Sequence, residues 1–235
     1  MGERKSVRLQ LVRSCGLLCV ALAGVLPASA PAHAFQPTPT PAEVKAAIDE
    51  GAKQAAAADH GFMVNEYVLF GRPDPLRLEK QDHPVDAVIV GTPREQFLYL
   101  SYLNAVQRKP TPETQAEAEA KRLANTIRFR VFAHAPSGLD QDRDFIKKFS
   151  PAELRLDNGK TLTANVSDIF GPGQDFFITG NSAHAQRWLG AFSYPFDLNE
   201  LARSGTDIST LKGTLSFADG TGYRYSFPVD LAKYE

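Results

Sequence analysis

The chain has 235 residues, 43% hydrophobic, 10% aromatic and 23% charged, with a formal net charge of −1. These ordinary proportions exclude collagen-like, coiled-coil and wholly disordered chains. The near-zero charge argues against a nucleic-acid binder, which carries a clear basic excess.

Residues 1–34 have the form of a secretory signal peptide. Arg4, Lys5, Arg8 and Arg13 make a basic start, the run from Gly16 to Leu26 is apolar, and Pro27 breaks it. Ala32-His33-Ala34 then supplies a small-x-small cleavage pattern. The apolar run is too short for a membrane-spanning helix, which takes about 20 residues, and no later stretch approaches that length. The expectation is export to the periplasm or beyond the cell, with cleavage after Ala34. Both cysteines, Cys15 and Cys19, lie in this segment. The remainder therefore has no thiol for disulfides, zinc thiolates, iron–sulfur clusters or a cysteine nucleophile.

Residues 35–41, F-Q-P-T-P-T-P, read as an extended, flexible leader. Residues 42–235 then read as a single globular domain. Thr40-Pro41-Ala42-Glu43 has capping-box form and opens an Ala-rich helix to about Ala58, with Val44, Ile48 and Ala52 on its apolar stripe and a loosely docked, tethering role. Phe62, Val64, Val68 and Phe70 give a patchy strand before a Gly71–Pro75 turn, and Asp86–Val90 is a short apolar strand. Thr92-Pro93-Arg94-Glu95 again has capping-box form and favours a helix over about 93–107, although the all-round apolar run Phe97–Leu103 leaves a strand open. Thr111-Pro112-Glu113 opens a clearer helix to about Ala124.

Beyond that point the pattern is β. Ile127, Phe129, Val131 and Ala133 alternate with Arg128, Arg130, Phe132 and His134, the period of a half-buried strand. Ala152, Leu154 and Leu156 alternate before Asp157-Asn158-Gly159, and Leu162, Ala164 and Val166 after it. A three-residue loop there pairs Leu154 with Leu162 and Ala152 with Ala164, and puts Gly159 in the left-handed region. Phe176–Thr179 reads as a strand, and Trp188, Phe192, Tyr194, Phe196 and Leu198 share one parity, which points Trp188 into the core. In the closing hairpin, parity suggests Leu215 opposite Tyr225 and Gly213 opposite Phe227, with a loop of three or five residues. Seven or eight short strands with turns between them suggest a mainly β fold. They resemble immunoglobulin-like antiparallel β-sandwiches in general, here with an N-terminal helix and a helical insertion near 93–124.

The chemistry-bearing residues form no catalytic motif. His60, His83, His134 and His184 lack metal-ligand spacing, and Gly180-Asn181-Ser182-Ala183-His184 is not a nucleophile elbow. Gly171-Pro172-Gly173 lacks the later glycine of a dinucleotide fingerprint. Asp140, Asp142 and Asp144 alternate as calcium ligands do, but Phe145 and Pro151 stand where a calcium loop needs glycine and glutamate. No metal and no cofactor is expected. Arg128 and Arg130, with His134, form a basic ridge on one strand face. Either Glu113, Glu117 and Glu119 of the preceding helix cover it with ion pairs, the favoured reading, or it is open to an anionic ligand. The functional expectation is a non-catalytic binding or structural module of the cell envelope, its partner an envelope protein or a small ligand. The alternative is a secreted hydrolase using a carboxylate pair or a dispersed histidine.

Overall fold

The computed structural model describes residues 35–57, 65–71, 77–78, 83–109, 111–179 and 184–234. Residues 1–34, read above as a signal peptide, His60, Phe62, Val64, the turn residues 72–75 and the loop residues 180–183 lie outside the described residues. One sheet has six strands in the order β1 (Val68–Gly71), β3 (Val85–Gly91), β4 (Thr126–His134), β8 (His184–Asp197), β7 (Ser167–Thr179), β2 (Arg77–Leu78). A second has four in the order β10 (Arg224–Asp230), β9 (Lys212–Ala218), β5 (Ala152–Leu156), β6 (Thr161–Ala164). Every pairing is antiparallel except the short parallel contact of β2 with β7. The helices are α1 (Pro41–Ala56), α2 (Pro93–Val106), α3 (Glu113–Leu123) and α4 (Asn199–Arg203). The mainly antiparallel β class with added helices is therefore as the strand pattern indicates.

The period of β4 sets the layers. Ile127, Phe129 and Val131 are fully buried on one face, where Phe129 meets Phe196 of β8 edge-on at 5.8 Å. On the same side Tyr194 of β8 packs against Phe217 of β9 at 5.2 Å, and Phe149 bridges Phe192 and Phe217 at 4.7 and 6.3 Å. These aromatic rings join the two sheets. The opposite face of the larger sheet lies under α2. Val85, Ala87, Val88, Ile89 and Val90 of β3 are all buried, which suits a strand with layers on both sides.

The helical layer is more tightly built than the sequence suggests. α1 has its capping box, Thr40 Oγ1 accepting from Glu43 N at 3.3 Å and Glu43 Oε2 accepting from Thr40 N at 2.7 Å. Its buried residues are Val44, Ala47 and Gly51. A Cβ on Gly51 would lie 2.3 Å from the Leu98 carbonyl oxygen, so α1 meets α2 backbone to backbone. Ser101 Oγ donates to the Ile48 carbonyl at 2.6 Å, and Arg94 pairs with Glu50 at 2.6 Å. A loosely docked tether is thus replaced by a fixed helix pair. The leader is anchored as well: Phe35 is fully buried in the core, and Asn125 N donates to the Pro37 carbonyl at 2.7 Å. The apolar run 97–103 is helical, and α3 begins at Glu113 with Pro112 as its N-cap while Thr111 accepts from Asn104.

Both hairpin loops follow parity, but the two registers fare differently. Leu154 pairs with Leu162 and Ala152 with Ala164 across the loop 157–159, with Gly159 at φ +86°. In the closing hairpin Leu215 faces Phe227 and Gly213 faces Val229, two residues from the expected register. Asp219 fixes this loop by accepting from Thr221 N, Thr221 Oγ1, Tyr223 N and Tyr225 Oη. β7 extends back from the expected Phe176 to Ser167 across two irregularities. Trp188 shares the inward parity of β8 yet is only half-buried, donating Nε1–H to the Leu139 carbonyl at 2.9 Å. The segment around Leu139 covers it there, so it lies at the margin of the core and not within it.

Candidate functional site

The alternation of β4 that sends Ile127, Phe129 and Val131 between the sheets sends Arg128 and Arg130 toward the helices. Arg130 is buried. Its Nη1 lies 2.8 Å from Glu95 Oε1 and its Nη2 3.4 Å from Oε2, and its guanidinium sits 4.2 Å from the centroid of the Tyr99 ring. Glu95 is fully buried, and burial raises its pKa more than Arg130 lowers it. The helix cap explains how the carboxylate arrives there. Thr92 Oγ1 accepts from Glu95 N at 3.2 Å, which starts α2 as in a capping box, but the Glu95 side chain binds Arg130.

Arg128 has a different partner. Its Nη1 lies 2.7 Å from Asp168 Oδ2, with the arginine side chain 17% exposed and the aspartate 45%. Burial lowers the Arg128 pKa, and Asp168 opposes that shift. Asp168 stands at φ +45° where β7 departs from regular pairing with β8, a left-handed conformation uncommon for a residue with a Cβ. Ser167 Oγ donates to the same carboxylate at 3.2 Å.

A cleft of about 300 Å³ opens over this pair between α2, α3 and the sheet. Its charged and polar lining includes Arg128, Arg130, Arg122, Glu119, Asp168 and Ser193. Its apolar lining includes Leu100, Leu103, Leu123, Ile169 and Phe170. Ile169 is 49% and Phe170 60% exposed. Arg122 and Glu119 pair with each other at 2.7 Å across a turn of α3.

The expected cover of the ridge is therefore corrected in its identity. Glu119 acts on Arg128 only through its charge, and the direct partners are Glu95 of α2 and Asp168 of β7. His134 does not join the arginines. It is buried farther along β4, with Nδ1 2.8 Å from Asp86 Oδ1. His83 stacks on Tyr223 at 3.5 Å, at the other sheet's closing hairpin. Two of the aspartates at 140–144 are engaged locally, Asp142 by Ser137 Oγ at 2.6 Å and Asp144 by Lys147 at 3.0 Å. Among the described residues no group of three or more metal-ligating side chains comes together.

Sequence reasoning passed over Glu95, Tyr99, Asp168 and Ser193. A carboxylate within an apolar helix start was the available signal for Glu95, since such a group needs a buried cation. No local signal marks Asp168, because β8 lies between its strand and β4. A second groove of about 660 Å³ separates α1 from α3, lined by apolar Val44, Ile48, Ala116 and Ala120, with Lys45 and Asp49 paired at its rim. No protein-family model, curated protein or solved structure matches the chain.

Proposed function

We propose that this chain is an exported, non-catalytic binding module of the cell envelope, and that the cleft over Arg128 and Arg130 is where it binds. The observation that carries this reading is the joining of a buried ionic floor to the exposed Ile169 and Phe170 at one cleft. Apolar side chains left in water beside a concave polar surface are the usual marks of a binding region. Glu95 and Asp168 are both held by arginines, which suits recognition better than acid–base work, where a carboxylate must trade a proton with substrate. The basic start, apolar run and Ala32-His33-Ala34 pattern support export. An immunoglobulin-like sandwich architecture is part of the proposal, supported by two mainly antiparallel sheets facing each other across an aromatic core and by the β9–β10 closing hairpin.

The test places a photo-crosslinking amino acid at Phe170, with exposed Glu153 of β5 as the control position. Irradiation of producing cells should give a discrete adduct from position 170 alone, in the periplasmic or extracellular fraction. Equal labelling from both positions or retention of the chain in the cytoplasm would overturn the reading, and no adduct from position 170 would overturn docking of an envelope protein at the cleft.

A further inference from the structure

We propose that the cleft takes a small amphipathic carboxylate, whose head group replaces Asp168 on Arg128. This rests on the binding role just assigned to the cleft and adds the class of ligand and the residue that holds its place. The two ion pairs on the floor differ in mobility. Arg130 and Glu95 are 10% and 0% exposed, and Tyr99 covers the guanidinium, so the Glu95 carboxylate has no route to solvent that would let it leave Arg130. Arg128 is similarly sunk at 17%, but its partner Asp168 is nearly half exposed on an irregular stretch of β7.

Asp168 takes the left-handed backbone that aspartate tolerates, and it stands between Ser167 and Phe170, where β7 has no regular pairing with β8 to hold it. Asp168 can therefore turn to solvent while Arg128 stays behind. A buried guanidinium without a counterion is strongly unfavourable, so whatever enters must bring a negative group. A carboxylate exchanges like for like and offers the planar arginine two acceptor oxygens. A neutral or cationic head group leaves Arg128 uncompensated. Leu100, Leu103 and Phe170 then provide an apolar wall for the rest of the molecule. The cleft volume of about 300 Å³ is at the small end of ligand sites, which limits that remainder to a short chain or a single ring.

Calorimetric titration of the full chain with octanoate, octanol and octylammonium separates head group from tail. Octanoate should bind at least tenfold more tightly than either of the others. Asp168→Asn should strengthen octanoate binding several-fold, because the resident competitor has lost its charge. The same variant should melt below the wild type without ligand and recover most of that difference in octanoate. Arg128→Gln should reduce octanoate to the level of octanol. Equal affinity for octanoate and octanol overturns the inference, as does an Asp168→Asn variant with unchanged or weaker octanoate binding. If position 170 crosslinks in cells while octanoate fails these tests, the binding role stands and the carboxylate class falls. If position 170 gives no adduct yet octanoate binds as described, the ligand class stands and the partner-binding reading falls.

Discussion

Glu95 and Asp219 are both buried carboxylates, and the fold moves them in opposite directions. Burial dominates at Glu95, so its folded pKa lies above the ordinary 4.5. The folded state then holds that proton more firmly than the unfolded chain. Its contribution is fully favourable below the unfolded value and declines as pH rises through the folded one. Glu95→Gln removes this titration and keeps an acceptor for Arg130, so its stability should vary less with pH than that of the wild type as pH rises above the ordinary carboxylate range. Glu95→Ala should instead lose about 3–5 kcal/mol in urea denaturation, because Arg130 is left buried without an anion. At Asp219 burial pushes upward, but hydrogen bonds from Thr221, Tyr225 and Tyr223 outweigh it and the pKa falls below 3.8. That contribution is present above the unfolded pKa and disappears as pH falls through the folded value. Asp219→Ala should cost about 2–4 kcal/mol at neutral pH, with the gap to wild type narrowing below about pH 4. The arginines' side of β4 was legible because strand period alone decides it. Their partners were not, because Asp168 reaches Arg128 only through the pairing of β7, β8 and β4.

At the scale of elements, the α1–α2 crossing is governed by Gly51. Alanine there gains about 1 kcal/mol of helix propensity, but its Cβ would press into the Leu98 carbonyl, which cannot yield without moving α2. Gly51→Ala should therefore be net destabilising by about 1–3 kcal/mol, as a lower urea midpoint with an unchanged slope. The sequence shows the helix but not this contact, since a glycine within an Ala-rich run carries no mark of what approaches it. The hairpins show the same boundary. At Asp157-Asn158-Gly159 the turn residues and the flanking apolar parity agree on one register, and the structure has it. At Asp219 the parity is right and the register is off by two, because a two-residue shift leaves every side chain on its own face. Only the Asp219 hydrogen bonds within the loop select between the two. Trp188 fails for a third reason. Parity gives its side of β8, but not that its cover is the irregular segment around Leu139 in place of the second sheet.

Across the whole molecule, helices, a six-stranded sheet and a four-stranded sheet lie in three successive layers, and the described residues belong to one compact unit. The class and the helical insertion were legible from periodicity. The order of strands was not, since it depends on contacts distant in sequence. The burial of Phe35 bears on how the molecule is made. Export processing after Ala34 would cut the bond whose downstream residue is this phenylalanine, and folding encloses that side chain in the core. A peptidase that needs an extended strand across its active site would then be racing the domain for the same few residues. With export as proposed, maturation would acquire an order: cut first, fold second. Purified precursor presented to signal peptidase in urea-unfolded form should be trimmed readily, whereas precursor refolded beforehand should be trimmed far more slowly. Phe35→Ala, which loosens the seat of the leader, should restore much of the lost rate.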